Sequence, residues 1–120
     1  LIPGFGGTQR LLRLAGRAAT LELCLVGAPV DAARARELGV VNRVVAEGAA
    51  LDEALALAER LNARAPNSLA SIKELINEAA DATLHQQLAA ERDHFVRNLH
   101  HPNGGIGIAA FLAKEKPRYG

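Results

Sequence analysis

The chain has 120 residues, which is near the size of one domain and permits a single core. Lys and Arg number 14 against 13 Asp and Glu, so the net charge of +1 gives no field strong enough to recruit nucleic acid or an anionic membrane. Aromatic residues make up only 3% of the chain, so a core would be built from Leu, Val, Ile and Ala. We therefore expect a mainly helical protein.

The two features that bear on its location and completeness are the absence of apolar spans and of methionine. The sequence has no apolar run of about 18 residues and does not start with a basic-then-apolar signal, which predicts a soluble, cytoplasmic protein. It starts at Leu1 without any Met, so we expect it to be part of a longer chain. The single cysteine, Cys24, lies in an apolar run and is predicted to pack as a small hydrophobic residue.

The first forty residues predict three helices separated by glycines. The first follows the PGFGG turn, with Thr8 as its N-cap, and ends at Gly16. A second occupies residues 17–26, and a third, short one begins at Asp31 and is closed by Gly39.

Residues 40–45 (VVNRVV) are β-branched on both sides of a polar pair and are the one predicted strand. A lone strand leaves its backbone groups unpaired, so it needs partners that this sequence does not supply. We take this as a second sign that an N-terminal part precedes the chain.

The remainder is predicted to be helical, since apolar residues recur at spacings of three and four. Helices are expected to begin near Asp52, near Pro66 with Asn67 or Ser68 as the cap, near Thr83, and after the glycine-rich HHPNGG break at residues 108–116. The last helix should terminate before Pro117.

The residue pattern predicts no catalytic residue and no metal site in this chain. Cys24 has no nearby base, the acidic residues fall mainly on polar helix faces, and the four histidines lack further ligands to complete a metal set. The PGFGGT turn matches neither nucleotide-binding glycine motif. The basic tail around Lys114, Lys116 and Arg118 could hold a phosphate, with Phe111 or Tyr119 stacking on a base, but a solvated helix end is the commoner explanation.

Two stretches resemble the crotonase (enoyl-CoA hydratase/isomerase) family. The first is PGFGGTQRLLRLAGRAATLELCLVGAPVDAARARELGVVNRVV, and the second is GIAAFLAKEKPRY. They occur in the order found in that family, and the resemblance covers nearly the entire chain. It implies the α/β crotonase (ClpP/crotonase-like) fold, with residues 1–46 as the end of its core and residues 47–120 as its helical oligomerisation region.

The same resemblance implies that the parent protein acts on acyl-CoA and assembles as a homotrimer or hexamer, with coenzyme A as part of the substrate and no other cofactor. Two backbone N–H groups would stabilise the thioester oxygen, and two glutamates would handle water and proton. All of these groups match segments before Leu1, so no catalytic residue is expected in this chain.

Three residues match peripheral positions of the family's site. Gly4 matches a glycine whose backbone lines the acyl pocket. Phe111 and Lys114 match positions that contact the adenine and phosphate end of CoA across a subunit boundary. One departure is that Ile106 stands before Gly107, where the family often has an acidic residue at the start of its closing helix.

The leading hypothesis is an enoyl-CoA hydratase that adds water to 2,3-enoyl-CoA thioesters. An enoyl-CoA isomerase, or another reaction of the family, is the alternative within the enzymes. A non-catalytic helical assembly module is the alternative of a different class, because exposed apolar helix faces usually mark interfaces.

Overall fold

The computed structural model describes residues 1–119, which form six α-helices. In chain order these are α1 (Gly7–Val26), α2 (Ala32–Glu37), α3 (Ala50–Asn62), α4 (Pro66–Glu78), α5 (Leu84–Leu99) and α6 (Pro102–Ala113). The chain separates into two compact units, Leu1–Glu53 and the residues from Ala54 onward. The boundary predicted after residue 46 concerns the parent fold and stays a prediction.

Helix α1 is two helical segments joined at a glycine. Gly16 has φ 76° and ψ 172°, so the predicted end of the first segment is confirmed. The predicted Thr8 cap is wrong: the N-cap is Gly6, in a left-handed conformation and without a side-chain hydrogen bond. The break leaves the Gly16 carbonyl available to the buried Thr20, whose hydroxyl donates to it at 2.8 Å.

The short helix α2 begins as predicted. The Asp31 carboxylate accepts a hydrogen bond from the Arg34 N–H at 2.7 Å, and the left-handed Gly39 closes the turn by donating to the Arg36 carbonyl at 3.0 Å. This cap satisfies one of the N–H groups that every helix start leaves without a partner.

The predicted strand at residues 40–45 is wrong, because residues 1–119 contain no strand. The N–H of Val40 donates instead to the Ala35 carbonyl at 2.9 Å, which ties this segment to the end of α2. Arg43 forms an ion pair with Glu53 in the first turns of α3. A β-branched pattern cannot become a ladder without a second strand beside it.

The start of α4 also differs from the prediction. Its N-cap is Ala65, which makes no side-chain hydrogen bond, and Pro66 occupies the first turn. Proline suits that position because its missing N–H would have no intrahelical partner. Neither Asn67 nor Ser68 caps the helix, and both instead reach towards α5.

Helix α5 begins next to Thr83, as predicted, and its start forms a capping box that was not predicted. The Thr83 hydroxyl accepts from the Gln86 N–H at 3.3 Å, and the Gln86 side chain accepts from the Thr83 N–H at 2.9 Å. The reciprocal pair satisfies two backbone donors at once.

Helix α6 begins at Pro102, six residues before its predicted start, so the glycine-rich run lies inside the helix. His101 is the N-cap, and its Nδ1 accepts from the Asn103 N–H at 3.1 Å. The helix ends at Ala113, earlier than predicted, where Lys114 turns the chain with φ 57°.

Few side chains are buried. Ala65 is the one buried hydrophobic residue among those described, and the buried polar residues are Thr20, Ser71 and Asn103. The apolar stripes predicted on the helices are present but exposed, as at Leu55, Ile76 and Leu88. Polar hydrogen bonds therefore carry much of the packing between helices in the second unit.

Candidate functional site

The C-terminal end of α6 presents an aromatic ring and an amino group to solvent. Phe111 stands in the last turn with 83% of its surface exposed, and Lys114 follows the helix. The Lys114 N–H donates to the Phe111 carbonyl at 3.2 Å, and the Glu115 N–H donates to the Ala110 carbonyl at 2.9 Å. These bonds close the helix end and hold Lys114 one turn from Phe111.

A groove of about 640 Å³ lies between α6 and the segment that follows it. One isoleucine and three alanines form the helix side of the groove, and two cations stand on the other side together with one carboxylate and a proline. Its lining residues are Ile106, Ala109, Ala110, Ala113, Glu115, Lys116, Pro117 and Arg118. Together with Lys114, the cations offer ammonium and guanidinium groups to a phosphorylated ligand.

A chain of side-chain hydrogen bonds fixes the other end of α6. Asn103 Nδ2 donates to Asn67 Oδ1 at 2.8 Å, Asn67 Nδ2 donates to Asn98 Oδ1 at 2.6 Å, and Asn98 Nδ2 donates to the Ser71 hydroxyl at 2.7 Å. We call these four residues the Asn–Ser network. It links α4, α5 and α6, and buries Ser71 and Asn103. When all buried polar groups of a network have hydrogen-bond partners, the network favours one arrangement of the helices over others.

The backbones of α5 and α6 also approach each other closely. A Cβ on Gly104 would lie 2.6 Å from the Asn98 carbonyl oxygen and 2.7 Å from that of Leu99. Only glycine fits at this distance. The beginning of α6 is therefore fixed on the end of α5 by backbone contact as well as by the Asn–Ser network.

Gly4 lies in the first compact unit, in the turn before α1. Its carbonyl oxygen accepts the Gly7 N–H at 2.9 Å, and no described atom outside its neighbours lies within 4 Å of the position of a Cβ. The turn continues through the left-handed residues Phe5 and Gly6. The structure thus places Phe111 and Lys114 together at one helix end, whereas Gly4 belongs to a separate unit.

An apolar cavity of about 590 Å³ lies beside α1 in this first unit. Residues from the chain start, including Ile2 and Pro3, line it together with Leu12, Leu21 and Cys24 of the helix. Gly4 is not among its lining residues. Cys24 is partly buried here as a free thiol, consistent with its predicted packing role.

Two of the four histidines have structural surroundings. His101 caps α6, and His94 Nδ1 lies 2.9 Å from an Arg97 nitrogen, with a Glu74 oxygen 4.0 Å from His94 Nε2. In the described part of the chain, no three His, Cys, Asp or Glu residues are grouped so that they could hold a metal ion. Nor does any helix in residues 1–119 combine the length and apolar character needed to cross a membrane.

Comparison with known proteins decides the family. The family model described as enoyl-CoA hydratase/isomerase matches residues 1–120. The chain belongs to the enoyl-CoA hydratase/isomerase family. Among solved structures of this family, an enoyl-CoA hydratase from Polaromonas sp. JS666 is 60% identical, with a TM-score of 0.94 over 100% of this chain and 47% of that one. The predicted crotonase fold is confirmed, with these residues as its helical C-terminal part.

Curated relatives agree on the family but differ in the reaction named. A probable enoyl-CoA hydratase of Rhizobium meliloti (strain 1021) is 39% identical over 99% of this chain and 46% of its own length. The 1,2-epoxyphenylacetyl-CoA isomerase of Escherichia coli (strain K12) is also 39% identical, over 99% of this chain and 45% of its own length. The chain thus spans about half the length of these relatives.

Sequence reasoning missed two elements of this arrangement. The Asn–Ser network was not predicted, although Asn67 and Ser71 lie four residues apart and so share a helix face with each other. The close approach at Gly104 was also missed, because a glycine-rich run before a helix equally describes a break. The roles of Gly4, Phe111 and Lys114 stay predictions.

Proposed function

We propose that this chain is the C-terminal part of an enoyl-CoA hydratase, and that Phe111 and Lys114 bind the nucleotide end of the CoA substrate. The observation that carries the proposal is the exposed aromatic ring in the last turn of α6, followed three residues later by the exposed Lys114, in a chain of this family. An aromatic face can stack on adenine, and an ammonium group attracts the phosphates.

In the proposed reaction, this chain and the family segments that precede the position of Leu1 have different roles. In those segments, two backbone N–H groups would stabilise the charge on the thioester oxygen, and two glutamates would transfer the proton and activate water. This chain would supply binding. The Gly4 backbone would line the acyl pocket, and α6 would hold the distant nucleotide, so that remote binding energy orients the reacting thioester.

Isomerisation of a double bond in an acyl-CoA is the second candidate within the enzymes. The relative named 1,2-epoxyphenylacetyl-CoA isomerase, whose name describes an epoxide as the substrate, supports another reaction of the family at the same 39% identity as the probable hydratase of Rhizobium meliloti. The residues at the two glutamate positions decide between the candidates, because hydration needs one group that activates water and one that delivers the proton to the substrate.

Assembly into a homotrimer or a hexamer is also part of the proposal. The stripes on α4, α5 and α6 support it, since Ile76, Phe95 and Leu112 are exposed by 68%, 67% and 75%. Exposed apolar side chains in such numbers favour burial against other surfaces. The same stripes would suit a non-catalytic assembly module, which would form oligomers but would not turn over substrate.

The test is a hydration assay with crotonyl-CoA on the native protein carrying this sequence, together with its intact mass and its mass in solution. We expect hydration, an intact mass well above 12.7 kDa and an oligomer. An oligomer of 12.7 kDa chains without turnover would support the assembly module instead. Turnover limited to double-bond migration would support the isomerase.

A further inference from the structure

The segment after α6 turns back along the helix. Lys114 makes the turn in a left-handed conformation, and the Glu115 N–H donates to the Ala110 carbonyl at 2.9 Å. Five residues after the turn, the Tyr119 hydroxyl oxygen lies 3.1 Å from the position that a Cβ would occupy on Gly107. The segment 115–119 therefore runs from the end of α6 back to its middle.

Gly107 is the residue that permits this approach. No other described atom outside the helix and its neighbours lies within 4 Å of that Cβ position, so the hydroxyl of Tyr119 alone would meet an added methyl group. Gly105, in the same helix, has nothing within 4 Å of the corresponding position. Glycine weakens a helix interior. The contact with Tyr119 gives a structural reason for a glycine at position 107, and no described residue makes such a contact at Gly105.

The contact between Tyr119 and Gly107 affects the proposed CoA site because it helps to hold the turn at Lys114. A residue other than glycine with φ 57° persists where its surroundings hold it there. Backbone hydrogen bonds hold the near side of this turn, and the contact of Tyr119 with Gly107 holds the far end of the segment. Gly107 is also one helical turn before Phe111, on the same face.

We propose that Tyr119 is a positioning residue for the nucleotide end of CoA. In contact with Gly107, it holds the returning segment and so keeps the turn at Lys114, whose N–H donates to the Phe111 carbonyl, and it keeps Lys116 and Arg118 along the groove. It acts through Lys114 and needs no contact with the ligand. The inference rests on the proposed function, since it takes Phe111 and Lys114 as the CoA-binding residues.

The test uses the native-length protein and compares crotonyl-CoA with crotonyl-pantetheine, which lacks the nucleotide. Gly107→Ala should raise KM for crotonyl-CoA by about fivefold, a change typical of losing one modest contact, and should leave kcat within about twofold. It should not change KM for crotonyl-pantetheine. Gly105→Ala is the matched control and should behave as the wild type with both substrates.

A compensating variant tests the contact itself. Tyr119→Phe removes the oxygen that a methyl group on Gly107 would meet, so the double variant Gly107→Ala/Tyr119→Phe should restore KM for crotonyl-CoA to within about twofold of Tyr119→Phe alone. Such rescue is specific to the contact, because two independent losses would add.

An equal rise in KM for both substrates after Gly107→Ala, no rise at all, or no rescue in the double variant would overturn the inference. Calorimetric titration with CoA separates this from failure of the proposed function. A protein that does not hydrate crotonyl-CoA would contradict the hydratase. If that protein binds CoA less tightly after Gly107→Ala, but binds it in the double variant as tightly as in Tyr119→Phe, the role of Tyr119 is supported. A wild type that binds no CoA would overturn both.

Discussion

The two ends of α6 are built in opposite ways. At its beginning, Asn103 is buried in the Asn–Ser network and Gly104 lies against the backbone of α5. At its end, Phe111 and Leu112 are mostly exposed, and a strained Lys114 turns the chain. One end is fixed to the rest of its unit, whereas the other presents side chains that would bind something outside it.

A rigid attachment can serve an exposed site about three turns away. A helix of 12 residues transmits the orientation of its first turn to its last, since its backbone hydrogen bonds make it nearly rigid. Residues that never meet a ligand can therefore decide where Phe111 stands. Changes at the beginning of α6 should therefore lower the free energy of unfolding, and changes at its end should alter the affinity for the ligand.

The largest effect is expected from Gly104→Ala. The added methyl group would lie under 3 Å from two backbone carbonyl oxygens of α5, which cannot move as a flexible side chain would. We expect the free energy of unfolding to fall by about 3 kcal/mol, the upper range for overpacking. Urea unfolding followed by circular dichroism would measure it.

Gly105→Ala is the control for that change, because its methyl group would enter open space in the same helix. Alanine should raise the stability by about 0.5–1 kcal/mol through its better helix propensity. Equal effects of the two substitutions would contradict the close packing of α5 and α6.

The Asn–Ser network should give the next largest effect. Asn98→Ala removes a partner of both Asn67 and Ser71, and leaves the buried Ser71 hydroxyl with only the longer bond from Arg97 at 3.5 Å. We expect a loss of about 2 kcal/mol, the cost of leaving a buried polar group poorly satisfied. Asn62→Ala, at the exposed end of α3, is the matched control and should change the stability by less than about 0.5 kcal/mol. A small effect at Asn98 would mean that water replaces the lost bonds.

Local signals in the sequence predicted most of the helices. Asp31 caps as expected, α5 begins at the predicted position, and Gly16 interrupts α1 where predicted, because caps and glycine breaks depend on residues three or four positions apart. The family resemblance then supplied the fold, which these local signals alone do not determine.

The failures share a different cause, which is contact between distant residues. The position of Asn67 in the sequence suits an N-cap, but its side chain bonds instead to Asn98 and Asn103, which are 31 and 36 residues away. Likewise, the glycines before Ile108 indicated a break, but α6 includes them because Pro102 starts the helix and Gly104 must approach α5. The valines at 40–45 favour a strand only where a second strand pairs with them.

The smallest expected change separates the two ends most sharply, because stability and binding should move in opposite directions. Lys114→Gly removes a side chain from a left-handed position, where such strain costs about 1 kcal/mol. After the greater entropy of glycine in the unfolded chain is subtracted, we expect a gain in stability of up to about 0.5 kcal/mol. The same variant loses the ammonium group, so the Kd for CoA should rise by about tenfold.

Calorimetric titration with CoA and urea unfolding of the same preparation would measure both changes. Lys73→Gly is the control: this lysine lies in the ordinary helix α4, so the variant should lose stability and bind CoA normally. A Lys114→Gly protein that is more stable and binds CoA unchanged would show that the left-handed turn at the end of α6 is not held for the ligand.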